Sequence, residues 1–258
     1  MESRVLGDVR AVVSRRMESD GFLVAFTERS GGVSGEPFAS LNLGLRSGDD
    51  PADVAQNRRR VADALGVSPF ACVRQVHGAR VVRAGKARAG AGFEDPSTAL
   101  GDADAIVTTT AGVALAVLAA DCVPVALADA RSGRVAAVHA GWRGIAAGVI
   151  GQALKHFPDP ADVLAAIGPA ICVDHYEVGE DVAFSVSTAI DGGAVTERRG
   201  DALHLDLPAS IARALKATGV RSVERAEECT AHLPKRFFSH RRDGERTGRQ
   251  GLVAMRVG

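Results

Sequence analysis

Apolar residues in the central part of the chain form short continuous runs instead of an alternating pattern. The runs cover residues 113–118, 123–127, 135–138 and 163–167. Because such runs are apolar on both faces, they predict strands that are covered on both sides, as in layered α/β folds. We therefore expect one layered α/β domain over residues 1–258, with strands covered on both sides.

Residues that typically begin and end helices predict the bounds of one helix. Asp50 is suited to the N-cap, Pro51 to the first helical position and Gly66 to the C-terminal end. The apolar residues between them fall on one helical stripe, so the polar Asn57, Arg58 and Arg59 are expected mostly to face outward.

Other segments are predicted from the same kinds of pattern. A second helix is expected over residues 145–154, where apolar residues return on one side. Residues 27–48 are rich in Gly, Ser and Pro and lack periodicity, which predicts a long loop. Long ordered loops in compact domains are often functional, so this loop is a candidate wall of a site.

Composition and charge restrict the functional class. The chain has 258 residues, of which 46% are hydrophobic and 24% charged, as in ordinary packed proteins. Lys plus Arg equals Asp plus Glu at 31 each, so the basic excess of a nucleic-acid binder is absent. No stretch approaches the roughly 18 apolar residues that span a membrane, and the N-terminus does not resemble a signal peptide. We expect a cytoplasmic protein with no nucleic-acid or membrane partner, and the oligomeric state stays open.

The four cysteines are widely spaced and form no Cys-x-x-Cys pair, which argues against a zinc ribbon or a thioredoxin-type motif. Cys72, Cys172 and Cys229 are interpreted as structural residues. Cys122 differs from them, because it stands next to an aspartate where an apolar strand is predicted to end.

Three reactive side chains occupy such strand ends. His77 lies in RQVHG, Cys122 in ADC and His139 in HAGWRG. Because α/β folds place their ligands at strand ends, these side chains are candidates to converge. Two imidazoles and one thiolate give Zn²⁺ three ligands and leave a fourth position open, as in catalytic sites. The same residues allow a metal-free alternative, in which Cys122 is a nucleophilic thiolate and His139 its base.

These three motifs, in this order, resemble a bacterial family, as do SGGVS and SLNLG near the start and FFSHRRDGERTGR near the end. The family has been called the laccase-domain or polyphenol oxidase family, the peptidoglycan editing factor family and a family of multifunctional purine nucleoside phosphorylases. The resemblance extends from Thr27 to Val257. It implies a single α/β domain of mixed sheets between helical layers, and a zinc site formed by His77, Cys122 and His139.

The resemblance also implies phosphorolysis of adenosine, inosine, guanosine and methylthioadenosine, with purine nucleosides and phosphate as partners, and deamination of adenosine. Asp121 is then a candidate for proton transfer or orientation, although an aspartate at a strand end can equally form a turn. Arg59, Arg143 and Arg241 are candidates for phosphate, because a guanidinium binds phosphate through two hydrogen bonds. Asn42, in the Gly- and Ser-rich loop, is a candidate for binding a sugar or a base.

Two other functions use the same centre. Cys122 and His139 would also suit a hydrolase that edits peptidoglycan precursors. A copper-dependent polyphenol oxidase is disfavoured, because multicopper centres need many histidines, including pairs separated by one residue. The chain has seven histidines and no such pair. Cu²⁺ is still an acceptable substitute for Zn²⁺, since copper outranks zinc for nitrogen and sulfur ligands.

Overall fold

Two six-stranded sheets form the centre of the molecule in the computed structural model, which describes residues 1–258. The first sheet contains, in spatial order, β1 (Glu2–Leu6), β2 (Val9–Val13), β3 (Phe22–Thr27), β14 (Gln250–Arg256), β7 (Leu115–Ala119) and β4 (Ala71–Cys72). The second contains β13 (Ser222–Arg225), β10 (Leu164–Ile167), β8 (Val123–Asp129), β9 (Arg134–Ala140), β6 (Ala105–Thr108) and β5 (Val81–Arg83). A separate hairpin consists of β11 (Val195–Arg199) and β12 (Ala202–Asp206).

Seven α-helices accompany the sheets. They are α1 (Arg15–Ser19), α2 (Pro51–Leu65), α3 (Trp142–Ala146), α4 (Val149–Leu154), α5 (Glu180–Thr188), α6 (Leu207–Ala217) and α7 (His240–Asp243). Single 3₁₀ turns occur at Lys86–Arg88, Pro96–Thr98, Pro160–Asp162 and Val173–His175. None of the helices has the length and apolar character that a membrane crossing requires.

Both large sheets are mixed, as the family resemblance implied. β4 runs parallel to β7 in the first sheet. β5 runs parallel to β6, and β13 parallel to β10, in the second. The remaining neighbours are antiparallel.

The second sheet is buried on both faces, which explains its continuous apolar runs. On β8, Val125 and Leu127 join a core cluster that includes residues of α3, α4 and α6. The alternate residues Ala126 and Ala128 join a cluster shared with the first sheet. These small side chains let the two sheets pack closely. The outer face of the first sheet is covered by α2 and its preceding loop. The predicted layered α/β architecture is confirmed.

The boundaries of α2 agree with the prediction. Asp50 accepts a hydrogen bond from the Ala52 amide, and Gly66 ends the helix with a left-handed φ of 64°. The helix predicted over 145–154 is instead divided into α3 and α4. Gly148 separates them with a φ of 81°, a conformation that glycine adopts without steric cost.

The expected outward orientation of Asn57 and Arg58 is wrong, because both side chains are buried. Asn57 donates to the backbone carbonyl oxygens of Ser40 and Asn42 at 3.1 and 3.0 Å. Arg58 donates to the carbonyl oxygen of Leu43 at 2.7 Å. The long loop after β3 folds over α2, and these polar side chains satisfy its buried carbonyl groups.

Candidate metal centre

The three predicted ligands converge on one point. His77 lies between β4 and β5, Cys122 in the turn from β7 to β8, and His139 near the end of β9. β8 and β9 pair with Val123 opposite Ala140, which brings Cys122 beside His139. One donor atom of each ligand lies within 4.8 Å of the other two. The His77 Nε2 atom is 3.9 Å from the Cys122 Sγ atom.

Asp104, which the sequence analysis did not identify, orients both histidines. Its Oδ1 atom lies 2.9 Å from His139 Nδ1 and accepts the His77 amide at 2.9 Å. Its Oδ2 atom accepts the amides of Val76 at 3.2 Å and Gly78 at 2.7 Å. Because a carboxylate accepts hydrogen bonds, His139 Nδ1 carries a proton and Nε2 is left as the donor atom for an ion.

The backbone at two site residues is held in the left-handed region. His77 has a φ of 59° and Asp121 a φ of 87°. A residue other than glycine typically needs about 1–3 kcal/mol of support from its surroundings in such a conformation. For His77 the support comes from the Asp104 carboxylate. Strain at a position that presents a reactive side chain is characteristic of functional sites.

Electrostatics favour an ionised cysteine at this centre. Burial opposes ionisation of Cys122, but His139 and His77 outweigh it and lower the pKa of the thiol to about 6. Burial likewise opposes protonation of His139, but Cys122 and Asp104 outweigh it and raise its pKa to about 9. The thiolate is the form of cysteine that binds metals and also the form that attacks as a nucleophile. The lowered pKa of Cys122 therefore suits either role, whereas a metal ion would have to displace a proton from His139.

Space around the donor atoms is kept open by glycine. A Cβ atom at Gly141 would lie 2.9 Å from Cys122 Sγ and 3.1 Å from His77 Cδ2. No side chain fits there without displacing a ligand. Two imidazoles and a thiolate at these separations, with open space beside them, can hold a metal ion and still admit a further ligand.

The centre opens into a large cleft with a volume of about 1020 Å³. Five arginines on its walls form no ion pair with any carboxylate, namely Arg46, Arg58, Arg143, Arg241 and Arg249. The guanidinium carbon of Arg143 lies 4.4 Å from the centre of the Trp142 ring. That of Arg241 lies 5.0 Å from the Tyr176 ring centre. Unpaired cations around a metal centre suit an anionic substrate.

Arg249 was not identified from the sequence, although it ends the FFSHRRDGERTGR motif. It is partly buried, and burial lowers the pKa of its guanidinium despite the nearby charges of Cys122 and Asp121. Its Nη1 atom donates to the carbonyl oxygens of Thr247 and Gly248 at 2.7 and 2.9 Å. A desolvated, fixed guanidinium next to the ligands is a further candidate for an anion.

Asp121 lines the cleft, but both of its carboxylate oxygens are already engaged. Oδ1 accepts from the Thr230 hydroxyl and Oδ2 from the Arg241 amide, each at 2.6 Å. These bonds fix the turn that presents Cys122. The geometry favours a positioning role, and proton transfer by Asp121 stays a prediction.

The structure does not bring Asn42 or Arg59 into the cleft. Asn42 is fully buried, and its Oδ1 atom accepts the amides of Gly44 and Arg249 at 2.9 and 2.8 Å. Arg59 is exposed on α2 and pairs with Glu94 at 2.7 Å. Their predicted substrate contacts have no support in this geometry, which instead gives Asn42 a role in holding two loops together.

Replacement of Asp104 with asparagine is expected to weaken metal binding by about 10- to 100-fold, the usual effect of losing the partner of a ligating histidine. Both oxygens of the Asp104 carboxylate accept hydrogen bonds from N–H groups. The asparagine amide would therefore direct its NH₂ group at one of these N–H donors in either of its two orientations. The measurement is a competition titration of the metal-free protein with a chelating dye. Asp102→Asn, which alters only a surface pair with Arg74, is the matched control. Equal affinity in the two variants would contradict the role of Asp104.

Comparison with known proteins agrees with this geometry. The family model described as multi-copper polyphenol oxidoreductase laccase matches residues 23–256. The chain belongs to this family. Among relatives of this laccase family, a protein of Deinococcus radiodurans named purine nucleoside phosphorylase is 43% identical over 235 residues, covering 89% of this chain and 87% of the relative.

Solved structures show the same fold. The crystal structure of YlmD from Geobacillus stearothermophilus has a TM-score of 0.89 and 37% identity, covering 92% of this chain and 93% of that one. The Bacillus licheniformis hypothetical protein YfiH has a TM-score of 0.89 and 30% identity, covering 99% of each chain. The predicted family resemblance and α/β fold are therefore confirmed.

The word multi-copper in the family description does not match the residues of this member. The chain offers two groups of three or more possible metal ligands, and each group contains two histidines. Trinuclear copper clusters need more histidines than either group provides. The chain thus belongs to the laccase family but lacks the ligands of a multicopper oxidase.

Proposed function

We propose that this chain is a zinc-dependent purine nucleoside phosphorylase acting on adenosine, inosine, guanosine and methylthioadenosine, with an additional adenosine deaminase activity. The observation that carries the proposal is the placement of His77, Cys122 and His139 in an arginine-lined cleft. Relatives that are named purine nucleoside phosphorylase support it. The peptidoglycan hydrolase alternative has no such support.

Zinc is the ion that this donor set suits best. Two imidazole nitrogens and one thiolate are typical zinc ligands, and three protein ligands are typical of catalytic rather than structural zinc. Copper is an acceptable substitute, because it binds nitrogen and sulfur ligands more strongly than zinc does. When bound here, the ion would supply a positive charge and a vacant coordination position for a substrate atom.

The residues of the cleft would bind and orient the two substrates. Unpaired guanidinium groups of Arg143, Arg241 and Arg249 provide fixed donors and positive charge for phosphate. Apolar lining residues such as Leu118 and Ile171 provide a surface for the purine. A volume of about 1020 Å³ lies at the upper end of the usual range for ligand pockets, which leaves room for both.

The test is incubation of the purified protein with inosine, with and without phosphate. In phosphorolysis the bond between C1′ and N9 breaks, a bond from C1′ to a phosphate oxygen forms, and the purine leaves with a proton. Hypoxanthine and ribose 1-phosphate should therefore appear in equal amounts and only when phosphate is present. Phosphate-independent release of the base would contradict the proposal, as would cleavage of a peptide substrate by a metal-free protein.

Arginine variants connect the activity to the cleft. Arg143→Ala and Arg241→Ala should each raise the KM for phosphate by about 10- to 100-fold, since a hydrogen bond to a charged group contributes about 1.5–3 kcal/mol. Arg131→Ala is the matched control, because Arg131 pairs with Asp162 near the turn between β8 and β9, at the other end of these strands. Unchanged KM values for phosphate in both cleft variants would show that these arginines do not bind phosphate.

A further inference from the structure

A second group of metal-binding side chains lies outside the centre described above. It consists of Cys172, His175, Cys229 and His232, whose donor atoms all lie within 4.8 Å of one another. Cys172 precedes the 3₁₀ turn Val173–His175, His175 is the last residue of that turn, and the other two residues follow β13. No disulfide joins the two cysteines.

The separations of the donor atoms match those around a tetrahedral ion. The Cys172 Sγ atom lies 3.6 Å from His175 Nδ1 and 3.8 Å from His232 Nδ1. The Cys229 Sγ atom lies 3.9 Å from His175 Nδ1. A zinc ion with bonds of about 2.3 Å to sulfur and about 2.0–2.1 Å to nitrogen would place neighbouring sulfur and nitrogen ligands about 3.5 Å apart. Shifts of a few tenths of an ångström would complete the geometry.

The orientation of the side chains also suits one shared ligand. Both histidines direct the same ring nitrogen, Nδ1, at the thiol of Cys172. Their rings are nearly perpendicular, at 88°, with centres 4.0 Å apart. The backbone amide of Cys172 donates to the Cys229 Sγ atom at 3.3 Å, a contact that stabilises a metal-bound thiolate.

We propose that these four side chains form a structural Zn²⁺ site. Two cysteines and two histidines fill all four positions of a tetrahedral ion and leave none for substrate, which is the pattern of structural zinc. The chain provides the ligands in two Cys-x-x-His pairs, CVDH and CTAH. Neither pair is a Cys-x-x-Cys motif, so the spacing typical of zinc ribbons does not predict this site.

The second ion would fix a wall of the cleft. Its first pair of ligands lies between Ile171 and Tyr176, both of which line the cleft. Its second pair includes Cys229, which is followed directly by Thr230. The Thr230 hydroxyl donates to Asp121, which lies beside the first centre. Zinc would thus join two chain segments that are otherwise connected here by single hydrogen bonds such as Thr230 N to Ala170 O at 3.0 Å.

Metal analysis of the full chain tests the proposal. The protein purified with zinc should contain two ions per chain, and Cys229→Ser should reduce the content to one. Cys72→Ser is the matched control, because Cys72 belongs to neither ligand group. His77→Ala should remove only the other ion, so failure of the proposed phosphorylase function and failure of this site are distinguishable.

Two measurements keep the test decisive if Cys229→Ser does not fold. His232→Ala alters the most exposed ligand and should also leave one ion. Titration of the metal-free protein with Co²⁺ should give two equivalents, one of them with the intense visible absorption of tetrahedral cobalt bound by two thiolates. A single equivalent in the unmodified chain would overturn the proposal. So would unchanged metal content in His232→Ala, or a mass showing a Cys172–Cys229 disulfide in place of the ion.

Discussion

Cys122→Ala is expected to remove one metal ion per chain and to lower kcat for phosphorolysis by a factor on the order of a thousand. Metal-ion stabilisation of a transition state contributes several kcal/mol, and each 1.4 kcal/mol corresponds to a factor of ten. Cys122 is the one thiolate of the proposed centre, and its low pKa shows that the surrounding histidines already favour the ionised form. Metal analysis and steady-state kinetics with inosine and phosphate give the two readouts.

A variant of a second ligand distinguishes the contribution of the metal from that of the Cys122 thiol. His77→Ala should show the same loss of metal and activity, although Cys122 is retained. His156→Ala is the matched control, because His156 lies near Arg134 at the distant end of β9 and belongs to neither ligand group. If His77→Ala kept full activity without bound metal, Cys122 would act as a nucleophile and the zinc mechanism would be refuted.

Gly141→Ala is expected to weaken metal binding by at least about tenfold without unfolding the protein. The added Cβ atom would lie 2.9 Å from Cys122 Sγ, so the thiolate or the chain must move. Displacement of catalytic groups by about 1 Å can cost on the order of a hundredfold in rate. The backbone itself tolerates alanine, since Gly141 has a φ of −80°. Chelator competition and kcat for phosphorolysis measure the effect, and thermal unfolding verifies the fold.

Gly151→Ala provides the control for this substitution. Gly151 lies inside α4, and a Cβ atom there would contact nothing within 4 Å. Alanine at a helical position is favoured over glycine by about 0.5–1 kcal/mol, so this variant should be slightly more stable and fully active. Equal metal affinity in the two glycine variants would show that the space at residue 141 does not matter.

Local features of the chain were predicted correctly where neighbouring residues alone decide them. The helix from Pro51 to Leu65 depends on its cap residues, and these act within one turn of the chain. The central strands depend on the apolar runs, which indicate burial on both faces whatever the partner sheet is. The approach of Cys122 and His139 was also expected, because reactive side chains at strand ends tend to lie at one edge. His77 joins them as predicted, although it lies in the loop between β4 and β5 and not at a strand end.

The same reasoning could not assign contacts made between distant segments. Asn57 and Arg58 occupy the polar side of α2 in the periodic pattern, yet the overlying loop buries them. Arg59, one residue further along, faces solvent and pairs with Glu94. Periodicity describes which side of a helix is apolar, but it contains no information about carbonyl groups that a folded loop will leave in need of donors.

The sequence by itself determined the family and the layered α/β class, and it indicated three side chains that meet at one point, because short motifs and local patterning encode them. Only the tertiary structure decided that Asp104 supports the two histidines and that two separate Cys-x-x-His pairs meet. Strand pairing and turns bring these residues together across long stretches of chain. Such proximity follows from the packing of the whole molecule, which no local segment specifies.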